Sequence, residues 1–141
     1  MAAGLTGGRV VVRLACARVA RRYEQALAVA RHEATHDGLT GALTRTAFAR
    51  ELEERLASAT AAQPLALLAI DVDAFGQINK LRGHATGDEL LVHLVRTAAR
   101  VIREDDLVGR LGGDEFAVLV RGQEPAAVGE RILSALRMRD A

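Results

Sequence analysis

The sequence predicts a mixed α/β (α+β) domain with a mainly antiparallel sheet flanked by helices. Three observations carry that expectation. Leu65–Ile70 is a short continuous apolar run, bounded by Pro64 and Asp71, of the kind that forms a strand covered on both faces. Leu107–Leu111 and Phe116–Val120 are two further apolar segments separated by Gly112, Gly113, Asp114 and Glu115, which is the composition of a hairpin turn. Between and after these lie segments with helical periodicity, so strands and helices alternate within one small chain.

The elements follow in order. The first eight residues contain three glycines and read as a loose start. Val12, Cys16, Val19, Tyr23, Ala26 and Ala30 then recur at steps of four and three, with arginines off that stripe, and predict a long amphipathic helix. Such a stripe packs against its own domain or against a second helix in a coiled coil. Asp37-Gly38 and Thr40-Gly41 mark a turn. Phe48, Leu52 and Leu56 predict a second helix, ending near Ser58 to Gln63. The run Leu65–Ile70 is expected as the central strand. Thr86 and Glu89 have capping-box spacing, which places the start of a third helix near Gly87, followed by Leu90, Leu91, Leu94, Val95, Ala98, Val101 and Ile102. A last helix begins near Pro125, where proline is tolerated in the first turn. Strand, helix, strand, strand, helix is a pattern that needs another strand to finish its sheet.

Composition removes several classes of function. The 141 residues form one domain-sized chain, half hydrophobic and 26% charged, which is enough apolar material for a core. A formal net charge of +1 gives no electrostatic footprint for nucleic acid, and one Tyr, three Phe and no Trp leave few stacking platforms. Cys16 is the only cysteine, so there is no internal disulfide framework and a reducing cytoplasm is expected. No stretch approaches the length of apolar chain that spans a bilayer.

Acids stand at the ends of the apolar elements. Asp71 and Asp73 follow the first strand on the same face, and Asp114 and Glu115 sit at the hairpin. If the hairpin lies beside the strand, Asp71 and Asp114 converge, and a concentration of carboxylate oxygens calls for a hard cation such as Mg²⁺ that also takes phosphate oxygens of a nucleotide triphosphate. The alternative is an ordinary solvated surface, where acids and Gly-Gly-Asp turns are common. Gly112 and Gly113 let the backbone approach a ligand closely. Asn79 and Asp88 offer an amide and a carboxylate suited to a guanine edge, or else serve as a turn residue and as a first-turn helix acid.

Arg110-Leu111-Gly112-Gly113-Asp114-Glu115-Phe116 resembles the signature of the GGDEF family, bacterial diguanylate cyclases that condense two GTP into cyclic di-GMP. Three more segments resemble that family in order: Asp37-Gly38-Leu39-Thr40-Gly41, Asp71-Val72-Asp73-Ala74-Phe75, and Gly83-His84-Ala85-Thr86-Gly87-Asp88. The resemblance implies a palm-like, ferredoxin-like domain over residues 37–141 and an N-terminal helical linker and dimerisation segment over 1–36. It implies that Asp71, the carbonyl of Val72 and Asp114 hold Mg²⁺ or Mn²⁺, with Asp71, Asp114 and Glu115 catalytic. It implies that Phe75, Asn79, Asp88, Gly112 and Gly113 bind GTP. Arg103-Glu104-Asp105-Asp106 resembles the family's product-inhibition site, in which Arg103 and Asp106 grip cyclic di-GMP; a solvated charged turn is the alternative. Two such domains must face each other, so the implied partner is a second copy of the chain.

The sequence departs from the pattern at Gly76, where a lysine is usual, and at Lys80, where an aspartate is usual. It also ends without the family's last strand and helix, which leaves one edge of Leu65–Ile70 without a partner. The expected function is a diguanylate cyclase, with a weak or inactive module that binds GTP or cyclic di-GMP, or a dimerising remnant, as alternatives.

Overall fold

The first expectation that the fold revises is the loose N-terminus. In the computed structural model, which describes residues 2–138 and side chains from residue 17 onward, a helix α1 runs over Ala2–Thr35. Glycine in a helix interior costs about 1 kcal/mol but does not block its hydrogen bonds as proline would, and no proline occurs in this segment. Side chains 17–34 are all exposed, including Val19 at 67% and Tyr23 at 70%. The described part of the apolar stripe therefore lies in solvent; the side chains of Val12 and Cys16 fall outside the described ones. The chain divides into two units, residues 1–34 and 35–141.

The second unit is built on a sheet. Its elements are β1 (Leu43–Thr44), α2 (Arg45–Ala57), β2 (Leu65–Asp71), α3 (Phe75–Arg82), α4 (His84–Val101), β3 (Leu107–Arg110), β4 (Glu115–Arg121) and α5 (Pro125–Arg137). The strand order is β1-β3-β4-β2, with β1 parallel to β3 and the other pairs antiparallel. This is the mixed, mainly antiparallel sheet that the sequence predicts. Thr44 caps α2 by accepting a hydrogen bond from the Ala47 amide at 3.3 Å.

The central strand is β4, not β2. Phe116 to Val120 are each at most 1% exposed, whereas Leu67 in β2 is 52% exposed. The reason is pairing: among the described residues β2 bonds only to β4, and its other edge is free. Alternation along β4 sorts the core into two faces. Val118 and Val120 pack with Ala98, Val128 and Ile132 of α4 and α5, while Ala117 and Leu119 pack with Phe48 of α2.

Two elements were not predicted. Strand β1 is a two-residue pairing with Gly109 and Arg110, and α3 is a two-turn helix directly after the β2 acids. Gly83 ends α3 and opens α4 at φ 89°, ψ 160°, a conformation reserved for glycine. Because the chain reverses there, α4 starts at His84, and Thr86 lies inside its first turn, its hydroxyl donating to the Arg82 carbonyl at 3.0 Å. Thr86 and Glu89 are not a capping box. Among the described residues no helix is long and apolar enough to cross a membrane.

Gly109 in β3 seats the α2 layer. A Cβ at that position would lie 2.5 Å from Phe48 Cδ2 and 2.9 Å from Phe48 Cβ. Gly109→Ala is expected to destabilise the domain by about 1–3 kcal/mol through overpacking, and Phe48→Ala by about 3–5 kcal/mol through a cavity, both read from chemical denaturation midpoints.

Candidate active site

The antiparallel register of β2 on β4 decides which groups meet. Leu65 pairs with Arg121 and the ladder runs to Asp71 opposite Glu115. One residue further, the Val72 amide donates to the Asp114 carbonyl at 3.2 Å. Asp71, Val72, Asp114 and Glu115 thus share one end of the sheet, from two segments more than forty residues apart in sequence. Two carboxylates directly opposite each other at a strand end repel unless a cation lies between or beside them. The donors present are all oxygens, which suits Mg²⁺ or Mn²⁺. Among the described residues no three acidic, histidine or cysteine side chains form a ready cluster. A small hard cation needs only one or two carboxylates when substrate phosphates complete its shell, so this donor set fits a metal that shares its coordination with a nucleotide.

The loop after β2 is strained. Ala74 adopts the left-handed conformation at φ 56°, ψ 30°, and its carbonyl accepts the first hydrogen bonds of α3, from Gln77 and Ile78. Phe75 is half-buried against the α4 side of the core, and Asn79 lies one helical turn further on the same face. Asp88 is exposed in the first turns of α4, next to buried Gly87.

At the hairpin, Gly113 is exposed with open space where a side chain would stand, and a Cβ on Gly112 would lie 3.2 Å from Glu115 Oε2. The Leu111 and Gly112 amides both donate to the Glu115 carbonyl, at 2.8 and 3.2 Å. Arg110 fixes this turn. Its Nε donates to the Gly112 and Gly113 carbonyls at 3.3 Å, and Nη2 donates to Gly113 at 2.8 Å. Its Nη1 reaches both carboxylate oxygens of Asp37, at 3.1 and 3.2 Å, and the guanidinium stands 6.0 Å from the Phe116 ring centre. Asp37 in turn accepts from the Thr40 amide at 2.9 Å and hydroxyl at 2.7 Å.

Arg110 and Asp37 lie within the motifs named above, but nothing in their local sequence marks them as a pair. The signal available was an arginine abutting two consecutive glycines, whose carbonyls need a donor. The Asp37 partner lies 73 residues away and has no local signal.

Arg103 and Asp106 stand together in the loop that leads into β3, at the opposite end of that strand from the hairpin turn. Asp106, 7% exposed, accepts from the Arg103 amide at 2.9 Å and from Gln123 Nε2 at 2.7 Å. The segment is therefore not simply a solvated turn: its acid is buried and bonded. A cavity of about 570 Å³ opens there, with Arg55, Arg103 and Arg121 in its lining. The Arg55 guanidinium also donates to the Asp105 carbonyl. Gln123, Arg55 and Arg121 were not singled out from sequence.

The family pattern described as "Diguanylate cyclase, GGDEF domain" matches residues 34–141, and the chain belongs to that family. It is 40% identical over 111 residues to the diguanylate cyclase TpbB of Pseudomonas aeruginosa, covering 75% of this chain and 26% of that protein. It is 44% identical over 90 residues to the diguanylate cyclase DgcM of Escherichia coli, covering 63% of this chain and 22% of that protein. The chain thus spans about a quarter of the length of these curated relatives. Among solved structures, the coiled coil and GGDEF domain of DgcB from Caulobacter crescentus, in complex with c-di-GMP, superposes with a TM-score of 0.78 at 29% identity, over 89% of this chain and 67% of that one.

Burial by itself would raise the Asp37 carboxyl, but the two Thr40 hydrogen bonds and the Arg110 guanidinium together hold it below its ordinary value near 3.8. A group whose folded value is depressed stabilises the fold above its unfolded value, and that contribution disappears as pH falls through the folded value. Unfolding free energy is therefore expected to drop on acidification below about 3.8, with Asp37→Asn flattening that part of the profile in denaturant titrations.

Proposed function

We propose that the chain acts as a diguanylate cyclase, condensing two GTP into cyclic di-GMP with release of two pyrophosphates. The observation that carries the reading is the β2–β4 register, which puts Asp71 and the Val72 carbonyl beside Asp114 and Glu115 at an open sheet end. In this reading each domain binds one GTP. Asp71, the Val72 carbonyl and Asp114 would hold Mg²⁺ or Mn²⁺, which when bound lowers the pKa of a hydroxyl and neutralises phosphate charge. Glu115 accepts the proton of the 3′-hydroxyl as O3′ bonds to the α-phosphorus of the facing GTP and the bond to pyrophosphate breaks. Gly112 and Gly113 leave room for the phosphates along the turn that Arg110 rigidifies. Asn79 and Asp88 read guanine, with Phe75 supporting Asn79 from the preceding turn.

The reaction needs two such sites face to face, so the working form is a homodimer in the cytoplasm. The exposed Val19 and Tyr23 of α1 supply an apolar stripe for that association. With Mg²⁺ and GTP, the chain is expected to yield cyclic di-GMP, detected by chromatography. Asp114→Ala should abolish product, and Glu115→Gln should lower kcat by about 10²–10⁴. Absence of product from the wild-type dimer would overturn the reading.

A second reading concerns the cleft at Arg103 and Asp106, whose arginine-rich lining favours a phosphate-bearing ligand, and we propose cyclic di-GMP as that ligand. Calorimetry should show binding that Arg103→Ala weakens by roughly ten- to a hundredfold, the loss expected for charge-assisted hydrogen bonds.

A further inference from the structure

Helices α3 and α4 meet closely where Asn79 faces Gly87. A Cβ on Gly87 would lie 1.9 Å from Asn79 Oδ1, 3.0 Å from Asn79 Cγ and 3.2 Å from Phe75 Cζ. The Asn79 amide therefore lies directly on the bare Cα of Gly87, with the Phe75 ring beside it. Asn79 Oδ1 is buried there without a hydrogen-bond partner. A buried acceptor left unpaired is costly, so its retention needs a cause beyond packing. Gly87 is also in the wrong place for stability alone, since glycine weakens a helix interior and alanine would serve the helix better. The neighbouring residue, Asp88, carries the exposed carboxylate.

We propose that Gly87 is a positioning residue for nucleobase selection. By lacking a Cβ it lets the Asn79 amide rest on α4 one residue before Asp88, so that amide and carboxylate can serve one purine edge together. A side chain at position 87 would occupy the place of the amide oxygen, so the end of the Asn79 side chain must move from its seat on Gly87. The ligand class is a purine with ring and exocyclic N–H donors. This inference rests on the guanine reading above and adds to it the device that sets the amide's pose.

The test uses the whole chain and the α,β-methylene triphosphates of guanosine and adenosine, whose bridge cannot release pyrophosphate, with Mg²⁺ and calorimetric titration. Wild type is expected to prefer the guanosine compound. Gly87→Ala should reduce that preference by roughly tenfold or more while the adenosine compound, held by its phosphates, binds as before. In an Asn79→Ala background, Gly87→Ala should change neither affinity, because no amide is left for the added Cβ to displace. If wild type prefers guanosine and Gly87→Ala matches it, the inference falls and the guanine reading stands. If the two substitutions prove additive in selectivity, the inference falls likewise. If wild type shows no preference, the guanine reading fails and takes the inference with it. Circular dichroism and the melting temperature of each variant separate loss of selectivity from loss of fold.

Discussion

Everything at the acidic end of the domain depends on the register of two strands. Side chains alternate across a sheet with period two, so a slip of one residue between β2 and β4 would turn Asp71 away from Glu115 and send Leu68 and Ile70 to the opposite face. The core forbids that slip. Ala66, Leu68 and Ile70 pack against the cluster that includes Val118, Val128 and Ile132, and exchanging them for Leu67, Ala69 and Asp71 would put a carboxylate where apolar contacts now are. The hydrophobic pattern that folds the sheet is therefore the same constraint that assembles the acids. Cooperation of this kind lets an open, solvated site be positioned without rigid side-chain bonds of its own.

A second constraint acts on the hairpin. Arg110 uses all three guanidinium nitrogens on protein acceptors, two of them carbonyls of the glycine turn and the third Asp37. These bonds add to the Leu111 and Gly112 amides on the Glu115 carbonyl in ordering a turn whose glycines lose more backbone entropy than other residues. The Asp37 end of the pair anchors the segment in which the globular unit begins, so the opening turn and the hairpin tip are one electrostatic unit. Arg110 is accordingly a structural cation here, each of its three nitrogens bonded to the protein.

Much of this was readable from the chain. Runs such as Leu65–Ile70 and Phe116–Val120, with acids and glycines between them, announce strands and a hairpin because periodicity and turn chemistry are local signals. The order of burial was not readable. Both runs are equally apolar, and only hydrogen-bond partnership tells that β4 is enclosed and β2 lies at the side. Strand β1 has two residues and exists through its pairing alone, and α3 contains a glycine and spans only two turns, too little for a periodic pattern to stand out. In the site, the residue types at positions 71, 114 and 115 pointed to a metal and phosphate chemistry. The Asp37–Arg110 pair and the seating of Asn79 on Gly87 were hidden because each depends on a contact between distant or differently oriented segments.

The two rims of the sheet are unequal. On one side β1 offers two residues, too few to template anything; on the other, β2 presents seven, and among the described residues no strand pairs with that flank, where Leu67 is exposed. Growth of the sheet is thus directional. Any extended segment laid along that flank, whatever chain it came from, would run beside β2 toward Asp71, so accretion at the rim and occupancy at the acidic end are geometrically linked.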